Sequence, residues 1–221
     1  MASMYDTIME LPLFKGIGVE QLSAMLEKTS MEFIKYGEGE KIITAGQRVT
    51  HIDFIISGKI LKTYNLENFD IGVQEIIGEG GMTGIQNLYG LMTHYPYSAD
   101  ALGAVSIMRM KKSQYMNILL SDRIYLLNIV NYLSAAEQKT TEMFLHNGVP
   151  SIERTLINLA YSIASRSAER IMISGSDEEL ARYLGVTDEE FATWKTEMSV
   201  AGRIQINGQK KLIIEPTGRK V

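Results

Sequence analysis

The spacing of apolar positions changes period along the chain, and each change predicts a different kind of element. After the stretch Leu11-Pro12-Leu13-Phe14, the residues Val19, Leu22, Met25 and Leu26 recur at helical spacing and predict a short amphipathic helix over residues 18–27. From Phe33 to about Met110 the pattern breaks into short β-branched and aromatic runs at residues 41–44, 52–56, 60–64, 73–77 and 105–110, punctuated by glycines. Short strands separated by glycine turns predict an antiparallel sandwich, roll or barrel. Beyond Lys112 no glycine occurs until Gly148, and the region predicts a short helix over 113–120 followed by a long one over 122–146.

Within the long helix Leu126, Ile129, Leu133, Ala136, Thr140 and Met143 are spaced three and four apart, an a/d seam. Such a stripe packs on its own β domain or on a second copy. At 1.5 Å per residue the helix is about 37 Å long, more than a small β domain needs to cover one face, which favours self-association. Asn147, Gly148 and Pro150 then end the helix and form a hinge.

The C-terminal third predicts a helix over 151–165, a short strand over 171–173, and two helices that open on Ser176 with Glu179 and on Thr187 with Glu190. Both pairs fit the capping box, in which a hydroxyl and a carboxylate satisfy the first backbone N–H groups. The step Leu184-Gly185-Val186 between them suits the turn of a helix-turn-helix, and Ala181 is small where the helices would cross. Phe191, Trp194 and Met198 give the second helix a buried side, so Trp194 reads as core rather than as a stacking platform. Its other side carries Asp188, Glu189, Ala192, Thr193, Lys195 and Thr196. Runs at 204–206 and 212–214 around Asn207-Gly208 predict a two-stranded wing.

Composition narrows the function. The absence of cysteine among the 221 residues excludes disulfides, thiolate metal sites and cysteine nucleophiles. The N-terminus has no signal-like pattern and no window approaches about 18 uninterrupted apolar residues, so a cytoplasmic protein without membrane contact is expected. A net charge of −4 offers no global basic field, so any nucleic-acid contact must be local. No phosphate loop, dinucleotide fingerprint, metal-ligand spacing or nucleophile motif marks an enzyme. His51, His94 and His146 are scattered and read as surface or capping residues; His94 is the one placed beside the candidate pocket described next.

Over nearly its full length the chain resembles the Crp/Fnr superfamily of transcription regulators, and closely resembles its Bacteroidetes-type members. The resemblance is carried by Leu11-Pro12-Leu13-Phe14-Lys15-Gly16, by Gly39-Glu40 through Gly46 with Phe54 to Ile60, and by Glu179-Leu180-Ala181-Arg182-Tyr183-Leu184-Gly185-Val186. It implies an α+β fold with an N-terminal antiparallel, jelly-roll-like β-roll (residues 1–121), a dimerisation helix (122–146) and a C-terminal winged helix-turn-helix (147–221). It also implies a homodimer, DNA as partner, RNA polymerase as a further candidate partner, and no membrane.

Two departures qualify that resemblance. In nucleotide-binding members a Gly-Glu pair and an Arg-Ser pair hold the ribose and the cyclic phosphate. The matching positions here are Gly84-Ile85 and Tyr97-Ser98-Ala99, which lack both charged anchors. No cofactor is expected, the effector is unknown, and cyclic AMP is disfavoured. The second departure is the recognition helix: Thr187 to Gly202 holds four acids (Asp188, Glu189, Glu190, Glu197) against Lys195, net −3. Arg203 to Val221 holds five bases against Glu215, net +4. The expected DNA contacts are therefore Thr187, Glu189, Thr193 and Lys195 on the helix, with phosphate attraction from Lys210 and Lys211 in the wing. The alternative is a degenerate relative that dimerises and acts through protein or ligand contacts without specific DNA binding.

Overall fold

The computed structural model describes residues 4–145, 151–163, 165, 168–207 and 211–214, and the chain divides by packing into two units. The first comprises Met1–Ile60 with Gly78–Lys139, and the second Leu61–Ile77 with Thr140–Val221. The segment 61–77 thus belongs by packing with the C-terminal third.

In the first unit, helices α1 (Met4–Glu10) and α2 (Val19–Lys28) precede strands β1 (Glu32–Tyr36), β2 (Lys41–Ile43), the first part of β3 (His51–Asn65), β5 (Met82–Thr83) and β6 (Ser98–Lys111). Strand β6 is flanked by β1 and β3, also pairs with β2, and β3 pairs with β5. Helix α3 (Lys112–Ser121) and most of α4 (Arg123–Leu145) complete the unit. Alternation along β3 and β6 turns Ile52, Phe54, Ile60, Val105 and Ile107 inward, where Phe14 packs its ring 5.4 Å from that of Phe54. Tyr125 of α4 meets the edge of Phe14 at 6.3 Å, and Asn128 donates to the carbonyl oxygens of Leu13 (3.2 Å) and Lys15 (2.9 Å). Asp122 caps α4 by accepting from the Ile124 N–H at 3.0 Å.

Residues 52–56 and 60–64, expected as two strands parted by a glycine turn, form the single strand β3. Gly58 is not a turn. Its φ is 85°, and a Cβ there would stand 2.3 Å from the Ala104 carbonyl oxygen on β6, so the residue permits a close approach of two backbones. Helix α1 and strand β1 have no counterpart in the sequence reading.

The second unit holds the end of β3, β4 (Gly72–Ile77), α5 (Ile152–Ile163), β7 (Ala168–Ser174), α6 (Asp177–Leu184), α7 (Asp188–Val200), β8 (Gln205–Asn207) and β9 (Lys211–Ile214). Strand β4 pairs antiparallel with β7 in a register that sets Val73 opposite Ile173 and Glu75 opposite Ile171; β7 pairs with β9, and β9 with β8. The core gathers Ile71 and Val73 with Leu156, Ile171, Ile173, Leu180, Phe191 and Leu212. The hinge residues Asn147, Gly148 and Pro150, with His146, lie outside the described residues, as do Gly208 and Lys210 of the expected wing turn.

The second unit also buries an ion pair between Lys62 of β3 and Glu75 of β4, whose side chains are 3% and 2% exposed. The other Glu75 oxygen accepts from the Ser165 N–H at 2.6 Å, and the Tyr64 hydroxyl donates to the first at 3.3 Å. Burial pushes the Lys62 ammonium below its ordinary value, partly opposed by the Glu75 charge. Removing one partner strands the other: Lys62→Met is expected to cost about 3–5 kcal/mol, read as a lowered urea midpoint. An unchanged midpoint would show that the pair is not desolvated in solution.

Candidate nucleic-acid interface and effector pocket

The α6–α7 pair is built by its caps. Ser176 accepts from the Glu179 N–H at 3.1 Å, but Glu179 does not return the bond expected of a capping box; its carboxylate takes the Asp70 N–H (3.3 Å) and Arg182 (2.6 Å) instead. At α7 the box closes. Thr187 accepts from the Glu190 N–H at 3.2 Å, while Glu190 accepts from the Thr187 N–H at 2.8 Å and its hydroxyl at 2.9 Å, which holds the exposed Glu190 carboxyl below its ordinary value. Between the helices Gly185 sits at φ 69°, the left-handed conformation that lets the chain reverse while its N–H satisfies the last turn of α6. Phe191 is fully buried, and Trp194 stacks on it at 5.6 Å, so Trp194 faces the core side as expected.

The outer side of α7 presents Thr187, Glu189, Ala192 and Thr193 to solvent. Lys195 departs from the expected picture of a solvent-facing base. Its ammonium donates to both carboxylate oxygens of Asp177 on α6, at 2.8 and 2.9 Å, and its side chain is 19% exposed. Asp177 carries no local signal for this pairing; the packing of the start of α6 beside the middle of α7 brings it to Lys195. Lys211 opens β9, and Lys210 lies outside the described residues.

The residues matched to the nucleotide cassette fall in the first unit. Gly84, Ile85, Tyr97 and Ala99 are buried and Ser98 partly so. The Gly84 N–H donates to the Tyr97 hydroxyl at 3.4 Å, and the Tyr97 ring meets Tyr95 edge-on at 5.6 Å. Phenol and alkyl side chains thus occupy this wall. His94 is exposed. Among the described residues no cluster of three His, Asp or Glu side chains could hold a metal ion.

On α4 the exposed apolar residues are Leu126, Leu127, Val130 and Leu133. Ile129, placed in the seam by spacing, is 6% exposed and turns into its own unit. At 3.6 residues per turn Leu126, Val130 and Leu133 share one stripe, so Val130 takes the position expected for Ile129. Ala136 is partly buried, Thr140 is exposed, and Met143 lies in the last turn of the helix.

No protein-family model matches the chain, and no curated protein matches it. Solved structures do. The Thermus thermophilus catabolite activator protein superposes with a TM-score of 0.52 at 17% identity, covering 92% of this chain and 93% of its own. Weaker likenesses, both at a TM-score of 0.49 and 15% identity, are the Xanthomonas campestris regulator CLP, covering 88% of this chain and all of its own, and the sensor domain of Pseudomonas aeruginosa DNR, covering 59% and 91%. At such identities the likeness shows the fold: a Crp/Fnr-like α+β architecture with an N-terminal β-roll. Among the described residues no helix is long and apolar enough to cross a membrane.

Because Thr187 satisfies an orphan donor of α7, Thr187→Ala is expected to lower stability by about 1 kcal/mol, measured by urea unfolding followed by circular dichroism. No loss would mean that water replaces the cap at no cost.

Proposed function

We propose that the protein is a non-enzymatic, homodimeric, cytoplasmic DNA-binding transcription regulator whose effector is not cyclic AMP. The observation that carries the reading is the α6–turn–α7 pair, closed by a full capping box and presenting Thr187, Glu189 and Thr193 outward, within a chain that has the catabolite activator fold. The proposed division is a sensor region over 1–121, a dimerisation helix over 122–146 and a DNA-binding region over 147–221, with RNA polymerase as a further partner. The hairpin 61–77 packs with the last of these.

The exposed stripe Leu126, Val130 and Leu133 supports the dimer. Apolar side chains at this spacing gain by meeting their own counterparts across a two-fold axis, extended toward Ala136, Thr140 and Met143. Leu133→Asp is expected to yield monomers at micromolar concentration by light scattering; a persistent dimer would place the interface elsewhere.

Buried Ile85 and Tyr97 support the exclusion of cyclic AMP, since neither can replace the carboxylate and guanidinium that a ribose and a cyclic phosphate need. The second reading, a relative acting through protein contacts, is favoured by one observation: Lys195 is held by Asp177 while Asp188, Glu189 and Glu190 crowd the start of α7. Phosphate attraction then falls to the wing.

A salt-dependent titration of genomic fragments separates the two readings. We expect binding that weakens with salt, is unmoved by cyclic AMP, and in the Lys210/Lys211 double alanine variant loses about two phosphates per subunit from its salt slope. Absence of binding even at low salt would sink the DNA reading in favour of protein contacts. A cyclic AMP response would overturn the effector assignment, and an unchanged slope the role of the wing.

A further inference from the structure

We propose that a groove on the first unit, walled by Arg48, Arg109, Lys111 and Lys112, binds a small, multiply charged anion of the phosphate or phosphorylated-metabolite class. The groove has a volume near 850 Å³, within the range of about 300–1,000 Å³ common for small-ligand sites. It is distinct from the cassette region, whose residues Gly84, Ile85, Tyr97 and Ala99 do not line it.

Its charge is the first argument. In a chain of net charge −4, the groove lining carries four permanent cations and one acid, Glu32. Its acid lies opposite Lys111 at 3.1 Å, with side chains 46% and 62% exposed, so that pair is screened by water and yields readily to a competing anion. Arg48 is exposed and, among the described residues, forms no ion pair. Among the described residues Lys112 has no carboxylate partner; its ammonium donates to the Leu88 carbonyl at 2.6 Å and lies 4.3 Å from the centre of the Tyr89 ring. Counting Glu32 and the buried Asp53 against the four bases leaves two uncompensated positive charges. A dianionic phosphoryl group matches that surplus better than a monocarboxylate.

Preorganisation is the second argument. Asp53 is fully buried and accepts from Arg109 through Nε at 2.7 Å and Nη2 at 2.8 Å, a bidentate clamp that fixes the plane of the guanidinium. The Tyr36 hydroxyl accepts from Nη2 at 3.5 Å. These bonds use Nε and Nη2; the two Nη1 protons are left over on a residue that lines the groove. A guanidinium already immobilised loses little freedom on meeting a phosphoryl oxygen. Thr50 and Ser113 add hydroxyls to the same lining.

Arg109→Ala would leave the buried Asp53 with only His51, 3.5 Å from its carboxylate, so the test uses the exposed residues Arg48 and Lys111. Full-length protein is titrated with inorganic pyrophosphate at low ionic strength, where exposed charges act over the longest range. We expect a dissociation constant below about 1 mM, no competition by equal acetate, and at least a tenfold weakening in the Arg48→Ala/Lys111→Ala variant with an unchanged melting temperature. Lys41→Ala is the control. Lys41 pairs with Asp100 at the opposite end of β6, at 2.6 Å, and its removal should leave the affinity as it was. The proposal is overturned if pyrophosphate fails to bind, if the double variant binds as before, if Lys41→Ala weakens binding equally, or if a poly-glutamate peptide binds where pyrophosphate does not.

Discussion

One strand has to satisfy two cores. Strand β3 runs unbroken from His51 to Asn65, and its first residues feed the interior that holds Phe14 and Phe54, while its last lie with the helices that follow Thr140. A strand offers a single alternation of faces, so a slip of one residue would misplace both sets together. Two devices oppose a slip. Gly58 admits the Ala104 carbonyl at a distance no side chain would tolerate, and farther along Lys62 finds Glu75 away from water. A slip that parts the two would leave a buried charge without its partner, which is far costlier than the pair. The Ser165 N–H on Glu75 ties the residues just after α5 to the same buried pair.

Much of this was legible in the chain. Helical spacing located α2, α4, α5 and α7 because each buries one side and exposes the other, and the hydroxyl-to-acid spacing found the caps of α6 and α7 within a residue. What escaped shares a physical cause: it depends on partners distant in sequence. Gly58 reads as a turn unless the neighbouring backbone is known. Ile129 and Val130 are equally good seam residues until Leu13, Phe14 and Lys15 claim one side of α4. Glu179 fits a capping box until Asp70 and Arg182 outbid the Ser176 amide for its carboxylate. The Asp53–Arg109 clamp lies fifty-six positions apart and leaves no local signal.

The charge distribution runs opposite to the simplest expectation for the function proposed above. Acids concentrate at the starts of α6 and α7, where they complement the positive ends of the helix dipoles, and the nearby base Lys195 is spent on Asp177. Bases gather away from these helix starts, in the last nineteen residues of the sequence and, in the first unit, around Arg109, where a buried carboxylate fixes one guanidinium while Arg48 and Lys111 stay open to water. Charge in this molecule follows local backbone and packing needs, and its net value of −4 hides both concentrations.

The stacking of Trp194 on Phe191 has a practical consequence. The chain has a single tryptophan, and it sits on α7 with its ring 5.6 Å from the Phe191 ring and inclined by 29°. Excitation at the red edge of the indole band therefore reports on one helix of one unit, with no contribution from the eleven tyrosines distributed along the chain. Emission from that residue follows the helix-turn-helix alone, whereas tyrosine absorbance averages over the whole chain, so divergent transitions from the two signals would reveal units that melt independently.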